Sequence, residues 1–241
     1  MNHLYINSIQ INWDNIDQDS YIRDIEAFKG LNQLDFHSPV TFFVGENGSG
    51  KSTLLEAIAI AYGFNPEGGS RNYNFSTHDS HSELCHAIKI IRNHDKVGWG
   101  YFLRAESFYN VASQEEEYAR IGMIQSEQYH ELSHGESFLK VIQNNTKTEG
   151  LYIFDEPEAA LSPQRQLTLL REIDLCVKEG AQFIITTHSP ILLGMPNSEI
   201  LCFDDGPIHP IEYEECDSYQ VTELFINHKD QVLRRLLSDD E

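Results

Sequence analysis

The sequence predicts an α/β fold with a mostly parallel core sheet. Short β-rich runs alternate with helical patterns along most of the 241 residues, the order expected of parallel strands joined by crossover helices. Two of these runs, residues 151–154 and 183–186, are almost continuously apolar, as expected of strands covered on both faces. A glycine-rich loop also links the apolar run 40–44 to a helical pattern beginning at Lys51. Together these three observations indicate the fold class.

The remaining elements follow in order along the chain. Strands are predicted at residues 4–11, 40–44, 87–91, 97–103, 151–154 and 183–186, and helices at 51–62, after 133, at 164–178 and at 219–237. Residues 63–73 are rich in Gly, Pro and Asn and predict a loop. Residues 104–145 begin with a polar stretch and predict an inserted, helical subdomain. Because no linker interrupts these patterns, we expect residues 1–241 to form a single domain.

The composition argues against direct binding of nucleic acid. The chain has 17 basic and 38 acidic residues and a formal net charge of −21, and residues 179–228 contain no Lys or Arg. A protein that holds a nucleic-acid backbone needs a basic stripe. Hydrophobic residues make up 40% of the chain, which is enough to form a core.

The expected location is the cytoplasm. No stretch reaches the roughly 20 apolar residues of a membrane helix, and the first residues do not resemble a signal peptide. The four cysteines lack CxxC spacing and are predicted to be reduced thiols: Cys85, Cys176, Cys202 and Cys216.

The strongest motif is GENGSGKST at residues 45–53, which fits G-x-x-x-x-G-K-[ST] between a strand and a helix. Its backbone N–H groups and the following helix N-terminus are expected to bind phosphates. Lys51 should reach the β- and γ-phosphates, and the Ser52 hydroxyl should ligate Mg²⁺. The residues predicted to contact the nucleotide, ATP, are Gly45, Glu46, Asn47, Gly48, Ser49, Gly50, Lys51, Ser52 and Thr53.

Two acids follow the apolar strand at residues 151–154. A carboxylate at the end of a buried strand is costly unless it serves a cation, so Asp155 is the predicted second Mg²⁺ ligand. Glu156 should point elsewhere because side chains alternate along a strand. It is then the candidate to orient or deprotonate the attacking water.

Two further motifs carry a family resemblance. LSHGE at 132–136 lies between the phosphate loop and the acidic pair, and TTHSP at 186–190 ends the next strand. With FDEP and ALSP in between, this order resembles an ATP-binding-cassette (ABC) ATPase. The resemblance implies a P-loop NTPase head with an antiparallel N-terminal β region and a helical signature subdomain.

The same resemblance implies an ATP-dependent homodimer with two nucleotides at its interface. In that family, the signature caps the γ-phosphate of the ATP on the other protomer. Ser133, Gly135 and Glu136 would take this role here, and His188 would contact the γ-phosphate. Glu in place of the usual Gln of the signature resembles the SMC and RecF side of the class. The 82 residues from Lys51 to Ser133 leave no room for coiled-coil arms, so the chain resembles stand-alone AAA-family predicted ATPases.

Three further residues are candidates for the nucleotide site, each with an alternative. Arg104 stands where the family carries a Gln that ligates Mg²⁺, with Glu106 nearby. Arg71 lies where SMC-type ATPases carry an arginine near the nucleotide, or it is a solvated loop residue. Tyr21 is a candidate for adenine stacking, or it is a half-buried tyrosine of a strand.

A cluster of His78, His81, Cys85 and His86 is a candidate metal site, but no second ligand pair with zinc spacing follows. The alternative is a polar loop running into a helix.

Three functions are compatible with these observations. The first is an ATP-gated dimer acting with an unidentified protein partner in DNA maintenance or defence. The second is the ATPase subunit of a membrane transporter, and the third is a nucleotide switch with low turnover. The acidic segment 199–217 is not explained by ATP and could receive a basic partner.

Overall fold

The computed structural model describes residues 4–70, 82–93, 99–104, 134–146 and 149–238. Its strands are β1 (Ile6–Ile11), β2 (Gln33–Asp35), β3 (Val40–Val44), β4 (Gly69–Ser70), β5 (Ile88–Arg92), β6 (Gly100–Arg104), β7 (Leu151–Asp155), β8 (Gln182–Thr186), β9 (Glu199–Cys202) and β10 (His209–Pro210). Its helices are α1 (Lys51–Tyr62), α2 (Leu84–Ala87), α3 (His134–Asn145), α4 (Pro163–Lys178), α5 (Pro190–Leu193) and α6 (Asp217–Leu237).

A mostly parallel sheet forms the centre of the fold, in the strand order β10-β9-β3-β8-β7-β6-β4. The five central strands are parallel, and β4 and β10 add antiparallel edges. The predicted mixed α/β fold with a mostly parallel sheet is therefore confirmed. In this arrangement the carboxyl ends of β3, β6, β7 and β8 meet at one edge, where ligands of such sheets bind.

A second, antiparallel sheet of order β2-β1-β5 confirms the predicted N-terminal β region. It is joined to the main sheet by the fully buried side chain of Gln182, which accepts the N–H of Ile6 at 2.9 Å and donates to its carbonyl at 3.0 Å. The strand predicted at 87–91 begins one residue later, because Ala87 ends the single-turn helix α2.

Helices cover both faces of the main sheet. On one face Leu54, Leu55 and Ile58 of α1 pack against a cluster that includes Phe43 of β3. On the other face α4 packs against a cluster that includes Phe42, the preceding residue of the same strand. Because neighbouring side chains on a strand point to opposite faces, the unbroken apolar run of β3 serves both clusters.

Helix α6 differs from the others because none of its residues is buried. Its start is anchored by the buried Cys216 and by Tyr219, whose ring lies 4.6 Å from that of Tyr213. The backbone departs from helical geometry at His228 (φ −130°, ψ 30°), which kinks the helix near its middle. Within the described ranges, no helix has both the length and the apolar character needed to cross a membrane.

Candidate functional site

The glycine-rich loop occupies the turn between β3 and α1. Gly45, Gly48 and Gly50 have φ values of 145°, 88° and 102°, in the region that favours glycine. At Gly50 a Cβ atom would lie 2.9 Å from Ile25 and 3.0 Å from Phe28. The N-terminal sheet region thus presses against the loop, and only glycine fits there. The loop leads directly into the N-terminus of α1, which starts at Lys51 and favours an anion.

The Lys51 side chain curls back onto this loop. Its ammonium donates to the carbonyls of Gly45 at 2.6 Å and Glu46 at 2.7 Å, and only 4% of the residue is exposed. Burial lowers the pKa of Lys51, while the carboxylates of Asp204, Glu156 and Asp155 oppose this change. The positive charge is therefore held in the loop by nearby acids.

The ends of three strands converge beside this lysine. The hydroxyl of Ser52 donates to Asp155 Oδ1 at 3.0 Å, and the hydroxyl of Thr186 donates to the same oxygen at 2.5 Å. Ser52 follows β3 and the loop, Asp155 ends β7 and Thr186 ends β8. A hydroxyl and a carboxylate are oxygen ligands of the kind that Mg²⁺ takes alongside nucleotide phosphates, so this pair fits a magnesium ion.

Glu156 leaves the strand in a left-handed conformation, with φ 47° and ψ 55°. The expectation that strand alternation orients its side chain is wrong, because β7 ends at Asp155. The N–H of Glu156 donates to Thr186, to the carbonyl oxygen at 3.1 Å and to Oγ1 at 3.0 Å. Such a backbone is strained for a non-glycine residue and is often found at functional sites.

His188 approaches Glu156 from the loop after β8. Its Nε2 lies 3.7 Å from Glu156 Oε1, and both side chains are about 40% exposed. The two residues predicted to act on the terminal phosphate and the attacking water are thus neighbours at one accessible edge. They lie beside Asp155, since Glu156 directly follows it.

Glu158, which the sequence places with Asp155 and Glu156 among the acids at the exit of this strand, makes a contact with His188 that the sequence analysis did not predict. Its Oε1 accepts the N–H of His188 at 2.6 Å, and its Oε2 is buried without a hydrogen-bond partner. Burial raises the pKa of Glu158, although the bond from His188 opposes the change. The sequence signal was an acid that directly follows the FDEP motif, two residues after Glu156.

Asp204 was also missed as a site residue. Both of its carboxylate oxygens accept the N–H of Glu46, at 3.0 and 2.9 Å. A Cβ atom added to Gly45 would lie 3.0 Å from each of these oxygens. The expectation that ATP does not explain the acidic segment 199–217 stays a prediction, although Asp204 of this segment contacts the loop backbone. Its position just after β9, the neighbour of β3, brings it to the loop.

Three buried polar atoms lack a hydrogen-bond partner within the part of the chain that the structure describes: Ser49 Oγ, Arg104 Nε and Glu158 Oε2. Such atoms call for an explanation, and a bound ligand or water is a common one. Ser49 lies in the loop itself, so its hydroxyl is available to a ligand of the loop.

Arg104 and Tyr21 lie on opposite sides of the loop. Arg104 is paired with Asp155 in strand register, but its guanidinium turns towards α1, with Nη1 3.1 Å from Glu56 and 3.3 Å from the Pro66 carbonyl. Tyr21 is 59% exposed in a 3₁₀ turn, not in a strand. It lines a cavity of about 400 Å³ together with Glu46, Asn47, Gly48 and Ser49, which suits a ring placed beside the phosphates.

Four residues of the predicted sites lie outside the described residues: Arg71, Ser133, His78 and His81. Gly135 and Glu136 fall in the first turn of α3.

The described half of the candidate metal cluster lies on α2. Cys85 is buried against the core, and His86 is exposed beside it. In the ranges that the structure covers, no three His, Cys, Asp or Glu side chains are arranged to hold a metal ion. The four cysteines are free thiols, as predicted, and burial raises the pKa of Cys176 and of Cys216 to about 11.

A glycine-rich loop between a strand and a helix, with its serine bonded to an acid that ends another parallel strand of the same sheet, defines a P-loop nucleotide-binding fold. Comparison with known families agrees. Residues 21–176 match the AAA domain family AAA_23, and the chain belongs to this family.

More distant similarities point in the same direction. Over 70 residues, 29% of this chain, the sequence is 37% identical to structural maintenance of chromosomes protein 6 of Saccharomyces cerevisiae. The chain spans 6% of the length of that curated relative.

Two solved structures resemble the fold at low identity. An inward-facing ABC transporter of the metal-chelate type aligns with a TM-score of 0.45 and 23% identity, covering 94% of this chain and 90% of that one. The SMC head domain from Thermotoga maritima aligns with a TM-score of 0.43 and 13% identity, covering 87% of this chain and 100% of that one.

Proposed function

We propose that this protein binds ATP with Mg²⁺ at the phosphate loop and hydrolyses it in sites completed by a second copy of the chain. The observation that carries the proposal is the hydrogen bond between Ser52 and Asp155, 103 positions apart. It unites the loop that would hold the phosphates with the acid that would hold the cation. Membership of the AAA domain family supports the same reading.

Each residue of the site then has a chemical task. The loop N–H groups and Lys51 bind the phosphates, and Ser52 and Asp155 would hold Mg²⁺, which neutralises charge on the β- and γ-phosphates when bound. Glu156 orients the attacking water and accepts its proton. His188, 3.7 Å from Glu156, contacts the γ-phosphate. Thr186 fixes Asp155 and the turn at Glu156 through its hydroxyl and carbonyl.

The second copy would supply the signature. Ser133, Gly135 and Glu136 of one copy would cap the γ-phosphate of the ATP bound to the other, so that two ATP molecules hold the dimer together and hydrolysis releases it. The N-terminus of α3 begins within this motif and would add its favourable partial charge.

The biological role we propose is DNA maintenance or defence with a protein partner. The local similarity to structural maintenance of chromosomes protein 6 favours a role near chromosomal DNA. The net charge of −21 disfavours direct contact with a polyanion, so the partner would provide the DNA-binding surface.

Glu156→Gln tests the catalytic part of this proposal. The amide keeps the size of the side chain but cannot accept the water proton, so the variant should bind ATP, lose hydrolysis by about 10²-fold or more and accumulate as a dimer. Size-exclusion chromatography with light scattering in MgATP would detect that dimer. The matched control is Glu179→Gln at the exposed end of α4, which should behave as wild type. A Glu156→Gln chain that binds ATP and stays monomeric would contradict the proposal.

Ser133→Arg tests the signature. The arginine should block the approach of the second copy, so hydrolysis and the ATP-dependent dimer should both be lost. Binding of a fluorescent ATP analogue by one copy should persist, because that copy's own loop is intact. Loss of binding together with turnover would show that Ser133 acts within its own chain.

A further inference from the structure

Helix α6 presents large apolar side chains to solvent. Val221, Leu224 and Ile226 are 66%, 53% and 71% exposed, and Phe225, Leu236 and Leu237 are exposed on the same helix. In a 21-residue helix with no buried residue, so much open apolar surface marks an interaction site.

The charges of α6 are divided between its two halves. Asp217 and Glu223 lie before the kink at His228, whereas Lys229, Arg234 and Arg235 lie after it, with Asp230 as one exception. The kink falls close to the midpoint of the helix. When two copies of this helix lie antiparallel, the acidic half of each copy therefore faces the basic half of the other.

A lipid surface fits α6 less well. Helices that lie on membranes carry mainly Lys and Arg on their polar face. Residues 217–237 contain three acidic and three basic residues, so an anionic bilayer would repel as much of the helix as it attracts. The division of charge along the helix favours a protein partner that presents basic residues to the first half of α6 and acidic residues to the second half.

We propose that α6 pairs antiparallel with α6 of a second copy, independently of nucleotide. A two-fold axis near His228 would place the acidic half of each helix against the basic half of the other and bury the apolar residues between them, as an isologous interface requires. The helix is roughly 30 Å long, so the pair is a small interface, and we expect a weak, concentration-dependent dimer.

The paired helix would also be connected to the nucleotide site through Tyr213. Tyr213, whose ring contacts that of Tyr219 of α6 at a tilt of 55°, donates its hydroxyl to the Pro190 carbonyl at 2.8 Å. Pro190 lies two residues after His188. The anchor of α6 is therefore attached to the loop that carries the histidine.

Charge-reversed variants test the pairing. One variant, Lys229→Glu with Arg234→Glu and Arg235→Glu, makes both halves acidic. The other, Asp217→Lys with Glu223→Lys, makes both halves basic. Sedimentation velocity without nucleotide should show a wild-type dimer at high concentration. Each variant alone should associate about tenfold or more weakly, and their equimolar mixture should associate again.

Two controls keep the outcomes distinct. Arg171→Glu with Lys178→Glu reverses two exposed charges on α4 and should leave association unchanged, and circular dichroism should show that all variants are folded. The proposal is overturned if wild type stays monomeric at every concentration, if either variant alone associates as wild type does, or if the mixture remains monomeric. Wild-type monomers that co-sediment with phosphatidylserine vesicles would assign α6 to a membrane instead. Because no nucleotide is present, failure here leaves the ATP-dependent dimer to its own test.

Discussion

The phosphate-loop edge and helix α6 are built in opposite ways. At the edge, polar groups from distant parts of the chain hold one another: Ser52 and Thr186 both bond Asp155, and Asp204 bonds the loop backbone. Along α6 the contacts named above lie at the start of the helix, at Cys216 and Tyr219, and the residues from 220 to 231 are all exposed.

The two regions differ because binding a small ligand and meeting another protein place different demands on the structure. A site for a small polyanion must hold its donors in place before the ligand arrives, because preorganisation lowers the cost of binding. A helix that meets another protein needs only its shape and an open apolar stripe. Mutations at the edge should therefore change chemistry or folding, whereas mutations in α6 should change association alone.

The largest expected effect is that of Lys51→Ala on turnover. Removing the buried ammonium, which we propose binds the phosphates, should lower ATP hydrolysis by about 10²- to 10³-fold, measured by phosphate release. Lys89→Ala on β5, an exposed lysine far from the loop in sequence, is the matched control and should change little. Equal losses in the two variants would mean that Lys51 has no special role.

A pair of leucine truncations sharpens the contrast in stability. Leu55 of α1 is fully buried, whereas Leu224 of α6 is 53% exposed. Leu55→Ala should lower the free energy of unfolding by about 2–5 kcal/mol, and Leu224→Ala by no more than about 0.5 kcal/mol. Urea unfolding of dilute protein measures both. A large loss for Leu224→Ala would show that α6 supports the fold of its own chain.

The smallest effect concerns Glu158 and pH. Because burial raises the pKa of Glu158 above its ordinary value of 4.5, the folded chain binds this proton more tightly than the unfolded chain does. The free energy of unfolding should therefore fall as the pH rises from the pKa of Glu158 in the unfolded chain through its pKa in the folded chain. Glu158→Gln removes that dependence and keeps an oxygen to accept the His188 N–H. The variant should gain stability relative to wild type as the pH rises above 4.5, as read from urea unfolding. Glu179→Gln should show no such gain.

Local patterns explain why much of the fold could be predicted. The strands β3, β7 and β8 are mostly apolar runs, and the loop at 45–53 has a spacing that few other structures use, so neighbours in sequence suffice to identify them. The same reasoning named Ser52 and Asp155, and the structure brings these two residues into contact. Their chemical roles stay predictions, as does the single domain over 1–241.

The rest depended on contacts between residues far apart in sequence. Asp204 and Glu46 are 158 positions apart, and no local pattern distinguishes Asp204 from the other acids of its segment. Glu156 turns by way of a left-handed backbone, which the regular alternation of a strand does not anticipate. Arg104 contacts Glu56 of α1, a residue 48 positions away that no local pattern links to it.

Periodicity and the spacing of adjacent residues were enough to predict the order of the elements, the phosphate loop and the acid that faces it. Contacts within the folded chain were needed to show that Asp204 supports the loop, that Glu158 holds the His188 backbone and that residues 220–231 of α6 are exposed. These features depend on which strand ends share an edge and which surfaces the fold leaves open. Both are properties of the packed chain as a whole.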